Sequence, residues 1–116
     1  MTTISPDEFG RFRSELANNP EALAALDVIE QCEGNLEDAA QVILLEAGEE
    51  EVQSDLFDKL IRYCRNVACQ EDMKEELPVL VAAVTEYLAA GSGFPPGLAT
   101  PFSIFVIKKT LKKFCL

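Results

Sequence analysis

Only two residues, Gly34 and Asn35, separate two helical patterns in this chain. Upstream, in "PEALAALDVIEQCEG", Leu23, Leu26, Ile29 and Cys32 fall on one face at helical spacing. Downstream, Leu36, Ala39, Ala40, Ile43 and Ala47 repeat with the same period, and Gly48 closes the run. Glycine takes the left-handed conformation that ends a helix, and asparagine caps the helix that follows. So short a corner leaves no loop in which the chain could reverse. The two helices must cross steeply, which excludes a plain up-and-down bundle for this half.

The rest of the chain is punctuated in the same way. Ser5, Pro6 and Glu8 form a capping-box signature, and Phe9, Phe12 and Leu16 follow at i, i+3, i+7. Asn18 and Asn19 stop that pattern, and Asn19 with Pro20 starts the next. "GEEEVQ" is a charged connector and the best internal boundary. Beyond it Leu56, Leu60, Cys64 and Val67 share a side that Phe57, Ile61 and Ala68 widen, with Ser54 or an earlier residue as the cap. From Pro78 to Ala90 the chain is apolar nearly all round, the pattern of a central, buried helix. "GSGFPPGLAT" is a loop, whose Phe94 and Leu98 are expected to tuck back onto the core. Thr100 then caps, and Pro101 opens, a last helix. No segment alternates convincingly with period two. The expected fold is an all-α, single-domain bundle of five to six helices over 1–116. It comprises a three-helix segment at 1–48 and a helical extension at 52–116.

Charge narrows the function. The net charge is −10, but residues 1–58 carry 15 acidic and 2 basic side chains, and residues 59–116 carry 5 acidic and 8 basic. A general nucleic-acid binder must neutralise phosphates, so nucleic acid is not an expected partner. There is no histidine, and no pair among Cys32, Cys64, Cys69 and Cys115 has C-x-x-C spacing. Neither a Cys/His zinc site nor any other cofactor is expected. Cys64 lies on an apolar stripe and reads as core rather than nucleophile, and the glycines lack phosphate-loop spacing. The chain is expected to be a non-enzyme. Its opening lacks a leader pattern, and its longest apolar run is interrupted by Pro78 and Glu86. The expectation is a reduced, cytoplasmic protein.

Ala25, Leu26, Ile29, Gly34, Asn35, Glu37, Ala40, Leu44, Leu45 and Gly48 resemble the pattern of the ubiquitin-associated (UBA) superfamily. That superfamily also includes the amino-terminal domain of elongation factor Ts. The resemblance covers about residues 5–48 and leaves the second half unrecognised. It implies a three-helix corner and a protein-binding role, with the end of the third helix, around Leu44 and Leu45, as the contact surface. Ubiquitin-binding members carry a Met-Gly-Phe or Met-Gly-Tyr type loop between their first two helices. This chain has "NNPEA" there, so ubiquitin is not the implied partner.

A second candidate surface lies at the other end. Lys108, Lys109, Lys112 and Lys113 sit at i, i+1, i+4, i+5, opposite an apolar strip of Ile104, Ile107, Leu111 and Phe114. Three roles fit the lysines: complementing the helix end or the acidic first half, docking on an acidic protein, or resting on an anionic membrane. The remainder of the chain carries −14 and opposes anionic lipid, which favours a protein partner. The expected function is a non-enzymatic protein–protein interaction module, adaptor or regulatory. A peripheral membrane-surface protein using the basic last helix is the alternative.

Overall fold

The computed structural model describes residues 2–48, 55–69 and 76–109. The described residues form an all-α bundle of six α-helices: α1 (Pro6–Glu15), α2 (Pro20–Gln31), α3 (Leu36–Glu46), α4 (Leu56–Ala68), α5 (Leu77–Ala89) and α6 (Ala99–Lys108). One hydrophobic core takes residues from both halves, from Ile4 through Val106.

The first three helices start where local chemistry places them. Ser5 Oγ accepts the Glu8 N–H while the Glu8 carboxylate accepts the Ser5 N–H. Asn19 and Asn35 cap α2 and α3 by accepting from the N–H groups of Ala22 and Asp38. The corner before α3 is left-handed at two residues, Glu33 (φ 58) and Gly34 (φ 82). Glycine is required at the second. A Cβ on Gly34 would stand 2.5 Å from the Ile4 carbonyl oxygen.

That contact belongs to a strap unforeseen in the sequence. Residues 2–4 lie across the corner: the Ile4 N–H donates to the Gly34 carbonyl at 3.0 Å, and the Leu36 N–H donates to the Thr2 carbonyl at 2.9 Å. The Thr2 N–H donates to both carboxylate oxygens of Glu37, at 2.9 and 3.0 Å. Glu37, which also lies in the first turn of α3, thereby satisfies a donor of the strap.

The second half departs from expectation in two places. α6 begins at Ala99, not at a Thr100 cap, because the 3₁₀ turn Pro96–Leu98 runs directly into it. The Leu98 and Ala99 N–H groups donate to the Pro95 and Pro96 carbonyls, so turn bonds replace a side-chain cap and Thr100 is buried. The central position also falls to α6 rather than α5. Every residue from Ala99 to Ile104 is buried, with α2, α3, α4 and α5 packed around the helix. α5 instead shows Pro78, Val79, Ala82 and Ala89 to solvent. A largely apolar sequence indicates burial but does not say which of two apolar helices lies inside.

Leu98 is fully buried and Phe94 half-buried, so the proline loop is folded back onto the core. Cys32 and Cys64 are free thiols, whereas Cys69 is disulfide-bonded. The expectation of a wholly reduced chain fails at Cys69. No described helix is long and apolar enough to cross a membrane. The cap expected at Ser54 lies outside the described residues; Asp55 precedes α4 without a side-chain capping bond.

Candidate functional site

α4 turns Leu56, Leu60, Cys64 and Ala68 into the core, which leaves Tyr63 off the buried stripe, 37% exposed. On α5, Val79, Ala83 and Tyr87 stand at i, i+4, i+8 and share a face that the core does not fully cover. Val79 is 36% exposed. The chain leaving α5 turns through Gly91 (φ 94) and Gly93 (φ 84). Ser92 fixes the turn by donating its hydroxyl to the Leu88 carbonyl at 2.7 Å and accepting the Phe94 N–H at 2.9 Å.

The result is an aromatic cluster drawn from three separate segments. The Tyr63 ring centroid lies 5.0 Å from that of Tyr87 and 5.9 Å from that of Phe94, the latter edge-on. Such tilted pairs hold one another in place and add about 0.5–1.5 kcal/mol beyond their burial. The cluster is therefore a preorganised surface, part apolar and part phenolic. Sequence reasoning weighed Phe94 within its loop but missed the two tyrosines. The usable signal was an apolar face on α5 too wide for one core contact, together with an aromatic residue off the stripe of α4.

The residues singled out in the sequence fare differently. Leu44 is 1% exposed and belongs to the core, so it is no contact residue. It continues the inner face that Leu36 and Ala40 begin, at i, i+4, i+8. Its neighbour Leu45 is 43% exposed. Lys108 donates to the Glu8 carboxylate at 2.7 and 2.8 Å, both side chains being only 25% exposed. Lys109 is solvent-exposed at the end of α6. Lys112 and Lys113 lie outside the described residues.

Titratable groups follow their surroundings. The Lys108 ammonium, followed by the Ser5 N–H, holds the Glu8 carboxyl below its ordinary range. Burial pushes the Cys64 thiol up to about 11, so it is protonated at neutral pH. Burial, with a smaller contribution from Asp38, also raises the Cys32 thiol. Among the described residues no three His, Cys, Asp or Glu side chains converge to hold a metal ion. Compared with protein-family models, curated proteins and solved structures, the chain matches none.

Proposed function

We propose that this chain is a non-enzymatic protein–protein interaction module, adaptor or regulatory, whose contact surface is centred on Tyr63, Tyr87 and Phe94. The observation that carries the reading is the part-open ring cluster, with exposed Val79 further along the same face of α5. Tyrosine supplies large contact area while losing little side-chain entropy, and aromatic anchors dominate the energetics of protein interfaces. The protonated, buried Cys64 supports a reading without nucleophilic chemistry.

The same proposal takes α1–α3 as a UBA-like corner. Left-handed Gly34, the Asn35 cap and buried Ala40 support that kinship. Under it, Leu45 is the residue of the third helix that a partner would meet. Residence in the cytoplasm belongs to this proposal as well: the free thiols Cys32 and Cys64 support it, and the disulfide-bonded Cys69 counts against it. A membrane-surface role is less well supported, because Lys108 already commits its charge to Glu8.

The test is photo-crosslinking in cells of the source organism, with benzoylphenylalanine placed at position 63, at position 45 and at the exposed control position Ala24. A discrete crosslinked protein at position 63, absent at 24 and lost on Tyr87→Ser, is the expected result. Crosslinks at 63 no different from those at 24 would remove the surface from consideration.

A further inference from the structure

A second surface, distinct from the aromatic cluster, lies where α3, the start of α4 and α6 meet. A cleft of about 190 Å³ opens there. Its apolar part is Ala40, Leu56, Phe57 and Phe105, with the two phenyl rings 4.6 Å apart and inclined by 36°. Of the carboxylates that line it, those of Asp55 and Asp58 belong to solvent-exposed residues, whereas that of Glu37 is engaged by the Thr2 N–H.

We propose that this cleft receives a lysine or arginine side chain from a basic, partly apolar segment of a partner protein. Shape and charge both point to that occupant. A cleft of that volume has room for one long side chain. An aliphatic stem laid along the phenyl rings would bury apolar surface while its charged head meets the rim. The carboxylates line a cleft without converging as metal ligands, which suits an extended cation with several donors better than a bare ion. Asp55 also pairs with Lys59 at 3.5 Å, with both side chains at least 41% exposed. Exposed pairs of that kind hold weakly, so Asp55 can exchange that partner for an incoming cation. Residues 1–58 carry a net −13, a field that draws cationic segments in and repels phosphate and anionic lipid.

The experiment is a titration of the ¹⁵N-labelled full chain with a blocked pentapeptide alternating leucine and arginine, and with its glutamate counterpart. Saturable amide shifts at Ala40, Phe57 and Asp58 are expected with the arginine peptide only. Affinity should fall about fivefold to tenfold in the Asp55→Asn/Asp58→Asn double variant, and again between about 50 and 300 mM salt. Where the double variant loses spectral dispersion, Asp58→Asn alone serves, since Asp58 is solvent-exposed. Equal binding by the variant, equal binding of the glutamate peptide, or no shifts in the cleft would each overturn the proposal. Shifts confined to Tyr63, Tyr87 and Phe94 would overturn it too, while leaving the interaction module of the preceding section standing.

Discussion

A methyl group added at Gly34 would meet the strap head-on. In Gly34→Ala the new carbon starts 2.5 Å from the Ile4 carbonyl oxygen, a backbone atom that cannot move alone. The residue also sits at φ 82, where alanine is strained by about 1–2 kcal/mol. Relieving the clash means lifting residues 2–4, which breaks the bonds from Ile4 N–H to Gly34 and from Leu36 N–H to Thr2. At about 1 kcal/mol each these contribute ~2 more, and Ile4, 5% exposed, surrenders part of its burial. The expected loss is about 3–5 kcal/mol, a large share of the ~5–15 kcal/mol typical of a domain. At about 4 °C per kcal/mol for this length, melting should fall by ~12–20 °C. Urea unfolding followed by circular dichroism measures it, with a double-mutant cycle to isolate the cause. Once residues 2–4 are deleted, Gly34→Ala should cost only the backbone strain of about 1–2 kcal/mol. An equal loss in both backgrounds would show that strap and corner are not coupled, and the reasoning would fail.

Glu33→Gly should raise stability by about 0.5–1 kcal/mol, since relief at φ 58 exceeds the added chain entropy; an unchanged urea midpoint would count against strain there. Lys108→Met should cost about 0.5–1 kcal/mol at neutral pH. Because the folded Glu8 carboxyl is held low, its contribution is complete above the unfolded value and fades as pH falls through the folded one. The loss on Lys108→Met should therefore shrink in acid, as urea midpoints at about pH 7 and pH 3 would reveal. Ser103→Ala removes a buried hydroxyl that has no hydrogen-bond partner among the described residues and should stabilise by about 1 kcal/mol, with calorimetry as the check. Cys64 should resist iodoacetamide in the folded protein and react at the rate of unfolding, whereas half-buried Cys32 labels first; peptide mass spectrometry separates them.

What could be read in the sequence was whatever lay within one helical turn. Ser5 with Glu8, Asn19 with Ala22 and Asn35 with Asp38 are contacts three residues apart, and their chemistry sits in adjacent letters. The strap was hidden because Thr2 and Glu37 are 35 residues apart; for Lys108 the charge pattern offered pairing with the acidic first half but could not name Glu8, 100 residues away. Leu44 continues the i, i+4, i+8 series of Leu36 and Ala40, so its burial was legible in the spacing, which the family resemblance passed over in naming it a contact residue. The aromatic cluster was hidden as the strap was. It joins Tyr63, Tyr87 and Phe94 across two helices and a loop, and the packing that unites them is written in none of the three segments.

The helix around which the others assemble comes last among the six. A ribosome therefore releases α1 to α5 before the segment that fills the space between them, and until then the inner faces of Leu36, Leu60 and Leu80 lack the helix that joins them into one core. Nascent chains stopped short of Ala99 should be sticky, protease-sensitive and dependent on chaperones, and acquire a native fold only as α6 emerges.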